Sequence, residues 1–256
     1  MVAPAGWILD RAYQCPIYNV TGPSGQTAVV FGNLATATDT VVLIHGMASS
    51  KERFLSFALQ CVDAGKAVIA CDLPFHGERR VEPFASIMLY PPHPHFMKVC
   101  ANVCKQLLDE LPELLTALQV TQPVTVLGHS LGGRIAYHMA LRRLDVRRVI
   151  CVGAPIGVEA IPKGSTFTEK DHAYWNPIDP FAGTGALLPV PITFIHGAAD
   201  KVCPLFTIER LQQLVKETAP TVPFEILVVP DTGHEFTGPI RAAAFTVVTS
   251  ESRTSH

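Results

Sequence analysis

The sequence predicts an α/β protein with a mostly parallel central sheet, helices on both faces and a short lid-like insertion. Three observations predict it. Strand-like and helix-like segments alternate along most of the chain, as βαβ units do. Several strand segments are short continuous apolar runs, the pattern of strands buried on both faces. One long stretch, 154–190, has no period at all, exceeds an ordinary connection and carries the Pro- and Gly-rich tract "NPIDPFAGTGALLP". The chain reads as one domain over residues 1–256, with that stretch lying over the sheet edge as an insertion.

The elements follow in order. "TAVVFGN" (27–33) and "TVVLIHG" (40–46) are β-rich and joined by a polar stretch, so the chain is expected to open with antiparallel strands. In 51–65, Phe54, Phe57, Ala58, Cys61 and Val62 fall at helical spacing, and Gly65 suits the position after the helix end. "KAVIACD" (66–72) is a short buried strand. The longest helical pattern is 95–120, where Phe96, Val99, Val103, Leu107, Leu111, Leu114 and Leu118 form one stripe and Pro112 is expected to kink it. A strand at 123–128, a helix at 130–144 and a strand at 147–153 come next. After the insertion stand a strand at 191–197, a helix from about 206 to 218, a strand at 224–230 and a last helix from about 239.

Composition excludes some classes. Hydrophobic residues are 48% and charged residues 16% of the chain, ample for a large core. Lys and Arg number 20 against 22 Asp and Glu, so neither a nucleic-acid groove nor a basic membrane face is expected. No apolar run is long enough to suggest a spanning helix, and the first residues lack the basic region of a signal peptide. Seven cysteines are scattered without metal-type pairing. Cys100 and Cys104, one helical turn apart, read as buried free thiols, and the cytoplasm is the default compartment.

The chemistry gathers around "VTVLGHSLGGRIA". Gly128-His129-Ser130-Leu131-Gly132 fits G-x-S-x-G between a strand and a helix, the context that motif requires. The flanking glycines are expected where side chains would collide with neighbouring backbone. A serine hydroxyl needs a base to take its proton, and His234 in "PDTGHEF" follows the last strand. The imidazole needs a carboxylate to fix its tautomer. Asp200, in "HGAADKVCP" just past a strand, is the preferred acid; Asp231 and Glu159 are the alternatives. The backbone N–H groups of Met47, in "IHGMASS", and of Leu131 are the expected oxyanion donors. Among the other histidines, His45 and His196 read as structural, His129 as part of the elbow and His76 as a turn residue. His93 and His95 lack the companions of a metal site.

"IHGMASS", "CDLPFHGER", "GHSLGG", "HGAADKVCP" and "GHEF" occur in the order found in the α/β-hydrolase superfamily, and the chain resembles its serine esterases across roughly residues 27–250. The turn from Asp72 to Arg79 is similar to the D-x-x-x-H-G-E-R turn of the dienelactone-hydrolase-like and prolyl-oligopeptidase-like branch, in which His76 and Gly77 shape the loop. Dienelactone hydrolases proper carry a cysteine at the elbow, where this chain has Ser130. The resemblance implies an α/β-hydrolase fold and a Ser130–Asp200–His234 triad cleaving small-molecule carboxylic esters through an acyl-enzyme, without metal or cofactor. Thioesterase, C–C hydrolase, peptidase and non-catalytic binding roles share the fold. Phe84, Met88, Tyr90, Phe167, Tyr174, Trp175 and Phe181 are the candidates to line an acyl pocket.

Overall fold

A computed structural model describes residues 15–82, 84, 96–141, 145–157, 179, 181 and 183–250. Among the described residues, eight strands form one sheet: β1 (Ile17–Thr21), β2 (Thr27–Phe31), β3 (Thr40–Ile44), β4 (Ala67–Cys71), β5 (Val124–His129), β6 (Val146–Val152), β7 (Ile192–Gly197) and β8 (Phe224–Val229). Their order across the sheet is β1-β2-β4-β3-β5-β6-β7-β8. From β4 onward every neighbouring pair is parallel, whereas β2 runs antiparallel to both β1 and β4.

The parallel centre follows from the apolar runs. Every residue of β3, β4 and β7 is buried, so these strands must be covered on both faces. The covering helices are α1 (Leu55–Asp63), α2 (Phe96–Ala117), α3 (Leu131–Leu141), α4 (Leu205–Thr218) and α5 (Gly238–Thr249). α1 and α5 pack Phe57, Cys61, Ile240 and Val248 on one face, against Val41, Leu43, Leu127 and Ile195. α2, α3 and α4 pack Leu107, Leu111, Ile135, Ile208 and Leu211 on the other, against Val42, Ile44, Val126 and Phe194.

The antiparallel opening differs in detail from the sequence expectation. The segments at 27–31 and 40–44 are not partners, because β4 lies between them. β2 instead pairs antiparallel with β4 on one side and with β1 on the other, and the residues of β1 are mostly exposed and include Ile17 and Tyr18 at the sheet edge. A strand that buries neither face leaves no apolar run or alternation to read. Residues 51–54 form a 3₁₀ turn ahead of α1, and α2 stays one helix across Pro112. Most of the stretch 154–190, expected as an insertion over the sheet edge, lies outside the described residues.

The topology positions the site. The chain leaves β3 toward β4 on one side and then crosses to β5 on the other, so direction reverses between β3 and β5. In open parallel sheets the crevice beyond the carboxyl ends at such a point is where ligands bind. The loops after β3 and β5 meet there, and those after β6, β7 and β8 flank them.

Candidate active site

β5 ends at His129 and α3 begins at Leu131, so Ser130 alone makes the corner. Its φ is +54°, in the left-handed region that side chains other than glycine seldom adopt. Its N–H donates to the Val152 carbonyl of the adjacent strand at 2.8 Å, and its own carbonyl accepts from Gly133 and Arg134. The glycines are required by close approach. A Cβ on Gly128 would sit 2.0 Å from the Gly132 oxygen, and one on Gly132 would sit 2.2 Å from the Ile44 oxygen. The elbow is therefore pressed directly onto the end of β3.

His234, in the loop after β8, points its ring at this corner. Its Nε2 lies 3.0 Å from Ser130 Oγ and its Nδ1 lies 2.9 Å from Asp200 Oδ2. A carboxylate only accepts, so Nδ1 carries the proton and Nε2 is left to accept from the serine hydroxyl. Asp200 has no exposed side-chain surface, and its other oxygen accepts the N–H groups of Val202 and Cys203 at 2.8 and 2.9 Å. Burial alone would raise the Asp200 carboxyl. The hydrogen bonds from His234 and the two amides outweigh it and hold the group below the usual carboxylate range. Gly197, at the end of β7, lets the loops carrying Asp200 and His234 touch, because a Cβ there would be 2.2 Å from the Thr232 oxygen.

The loop after β3 completes the crevice. A Cβ on Gly46 would meet Ser130 Cβ at 3.0 Å, so this loop runs alongside the serine. Met47 is half-buried and packs against the core, and Leu131 is buried at the first position of α3. His45 fixes the start of the loop: Leu73 N–H donates to its Nε2 at 3.0 Å and its Nδ1–H donates to the Gly46 carbonyl at 2.7 Å. Lys51, immediately beyond, is buried. Its backbone N–H and its Nζ donate to the two oxygens of the fully buried Asp72 at 2.9 and 2.7 Å.

Thr27 Oγ1 and the Glu78 N–H also donate to Asp72, and a Cβ on Gly77 would strike that carboxylate at 2.1 Å. The D-x-x-x-H-G-E-R turn is thus wrapped around one buried carboxylate that anchors the loop after β3. Burial opposes the charge of Asp72, but these donors win and its pKa falls. His45 Nε2 is 3.6 Å from Asp72 and already accepts from Leu73, which leaves Lys51 as the principal counter-charge. His76 is buried, donates from Nδ1 to the Pro74 carbonyl at 2.8 Å, and is pushed down to about 4 by burial.

The other expected residues fall as follows. Asp231 is exposed in a turn with φ +51°. Phe84 is half-buried and stacks on Phe75 with ring centroids 4.1 Å apart. Phe181 lies against Gly157 and beneath the Arg210 guanidinium. Glu159, Met88, Tyr90, Phe167, Tyr174, Trp175, His93 and His95 lie outside the described residues. Sequence reading missed the buried Lys51, which looks like an ordinary surface lysine until its carboxylate partner is known. It also missed Arg134, which is buried within α3 and donates to the Pro155 and Gly157 carbonyls just after β6. An arginine set in the mostly small and apolar run LGGRIAYHMAL was the available signal.

Asp200, Cys203 and His234 offer metal-type donor atoms within 4.8 Å of one another. Those of Asp200 and His234 already hold each other and two backbone amides, and burial pushes the Cys203 thiol up, against the thiolate a metal needs. This set fits proton transfer better than metal binding.

The sheet order, the strained serine corner and the crevice at the β3–β5 reversal define an α/β-hydrolase. The model of the family described as serine aminopeptidase, S33, matches residues 35–173, and the chain belongs to that family of hydrolases. A curated relative, the sn-1-specific diacylglycerol lipase ABHD11 of Mus musculus, is 31% identical over 180 residues. The match takes in 69% of this chain and 47% of the mouse protein, so the chain spans about half the length of that relative. Among solved structures, TT1662 from Thermus thermophilus is similar with a TM-score of 0.76 at 20% identity, over 94% of this chain and 100% of that one. The dienelactone hydrolase of Anabaena variabilis is similar with a TM-score of 0.59 at 19% identity, over 93% and 96% of the two chains. Among the described residues, no helix is long and apolar enough to cross a membrane.

Proposed function

We propose that this hydrolase cleaves carboxylic esters through an acyl-enzyme on Ser130. The observation that carries the reading is the continuous hydrogen-bonded line Ser130 Oγ–His234–Asp200, at 3.0 and 2.9 Å. His234 takes the serine proton as Oγ attacks the ester carbonyl, and Asp200 stabilises the imidazolium that forms. The N–H groups of Met47 and Leu131 receive the oxyanion. His234 then returns its proton to the leaving alcohol. Water, deprotonated by the same imidazole, releases the acid and frees Ser130. No cofactor enters this cycle. The mouse relative is a lipase, which supports an ester over an amide; the family's description favours a peptidase as the second reading. All seven cysteines are free and six are buried, which supports a reducing, cytoplasmic setting.

The test is a fluorophosphonate probe followed by a panel of p-nitrophenyl esters, acyl thioesters and aminoacyl anilides. Labelling at Ser130 with ester turnover dominant is the expected result. Labelling with anilide turnover dominant moves the reading to a peptidase, and absence of labelling rules out an activated serine.

The oxyanion assignment makes a separate prediction. Met47 acts through its backbone, so Met47→Ala keeps most of the turnover. Met47→Pro removes the donor and loses ~10²–10³ in kcat on p-nitrophenyl butyrate. Circular dichroism checks that the proline variant is folded. Near-normal turnover in a folded Met47→Pro protein removes Met47 from the oxyanion hole.

A further inference from the structure

The base loop has a tether that the proton relay does not use. His129, the residue before the nucleophile, turns its ring toward the loop after β8, and its Nε2 lies 2.7 Å from the backbone carbonyl of His234. A carbonyl only accepts, so Nε2 carries the proton. The ring is confined on several sides. Its centroid is 5.1 Å from that of His234 and 5.9 Å from that of Phe236. A Cβ on Gly46 would come within 3.2 Å of its Nδ1, so the loop carrying Met47 lies against that edge.

We infer that His129 is a positioning residue that fixes the reach of the catalytic base, by anchoring the His234 backbone to the residue adjacent to the nucleophile. The inference rests on the serine-hydrolase reading above. Its physical content is a short lever. Ser130 Oγ and His129 Nε2 arise from consecutive residues of the elbow, and they hold the two ends of one residue, the ring and the carbonyl of His234. The Oγ–Nε2 distance is therefore set inside a closed ring of hydrogen bonds. Otherwise it would depend on a loop whose nearby backbone bonds run to the acid loop, from Ala199 N–H to the Thr232 oxygen. Proton transfer is steep in distance, and a displacement of about 1 Å at a reacting pair can lose ~10²-fold in rate.

The neutral form of His129 suits the task. Burial pushes its pKa down to about 4, opposed by the bond to the His234 carbonyl. The charged or titratable groups facing it are His234, Asp200 and Arg53. A neutral ring donates the tether without placing a second positive charge beside the imidazolium that His234 becomes. Leucine in this position keeps the bulk and loses the donor. Glutamine places an amide N–H close to where Nε2 stood, and asparagine carries the same amide one bond short.

The experiment compares His129→Leu, His129→Gln and His129→Asn with the unaltered chain. It reads kcat and KM on p-nitrophenyl butyrate, the rate of fluorophosphonate labelling at Ser130, and thermal stability. The expected result for leucine is a fall of ~10–10² in kcat and in labelling rate with KM little changed, and recovery by glutamine to within about threefold of the unaltered chain. Should the leucine variant fail to fold, asparagine slow and glutamine fast gives the same contrast. Leucine turnover within about threefold of the unaltered chain, or glutamine as slow as leucine or asparagine, overturns the positioning role. An unaltered protein that neither labels nor turns over any acyl substrate overturns the hydrolase reading, and the positioning role with it.

Discussion

Ser130→Ala is expected to abolish ester turnover and leave the fold unchanged. The loss in kcat should be on the order of 10⁶, the size seen when the nucleophile of a serine protease is removed. The fold should survive because alanine carries the same Cβ through the same left-handed backbone, so the corner at φ +54° gains no new strain. The side chain gives up only its bond to His234 Nε2; the bonds from its N–H to Val152 and from Gly133 and Arg134 to its carbonyl are backbone bonds and persist. Hydrolysis of p-nitrophenyl acetate and butyrate, with circular dichroism and a melting curve on the same sample, measures both parts. Undiminished turnover by the folded variant would remove Ser130 from the chemistry.

Asp200→Asn is expected to lower kcat by ~10⁴ near neutral pH, as loss of the correct tautomer does in a serine protease. The amide keeps the shape of the carboxylate and can still accept from Val202 and Cys203 N–H. Facing His234 Nδ1, however, it can present an N–H donor and so drive the ring proton to Nε2, where it blocks acceptance from the serine. Asp231→Asn should change kcat little, since that carboxylate is exposed in a turn while His234 Nδ1 is held by Asp200 Oδ2. Glu159→Gln should also change it little. If Glu159→Gln proves the crippled variant, the Asp200 bond is structural and the acid follows the earlier strand. The pH dependence of stability gives a second reading. The Asp200 pKa is lowered in the folded state, so its contribution is present above the unfolded value of about 4 and is lost as pH falls through the folded value. Asp200→Asn should therefore flatten the acid limb of the melting-temperature profile.

The elbow was legible because it is local. Glycines at 128 and 132 around a serine, between a β-former run and a helical pattern, describe a backbone shape that few other needs produce, and the close contacts with Gly132 and Ile44 oxygens are its physical reason. The central strands were legible because burial on both faces leaves an apolar run. β1 was not, because its side chains face solvent and its pairing with β2 is made by backbone groups common to every residue.

The alternation of strands and helices, the serine corner at 130, and the succession of Ser130, Asp200 and His234 after separate strands could be read from the residues alone. The first two are written in residue types within a few positions of one another, where periodicity and turn chemistry act directly; the third is read from where each residue stands relative to a strand end. Packing selects the carboxylate that meets His234: Asp231 is three residues away and Asp200 is 34, yet Asp200 follows the strand that pairs with the one leading to His234. Only the tertiary structure put β4 between β2 and β3, buried Lys51 on Asp72, and laid the His129 ring against the His234 carbonyl. These are contacts between segments brought together by packing. Their energies depend on distance in space, and the spacing of residues along the chain does not encode it.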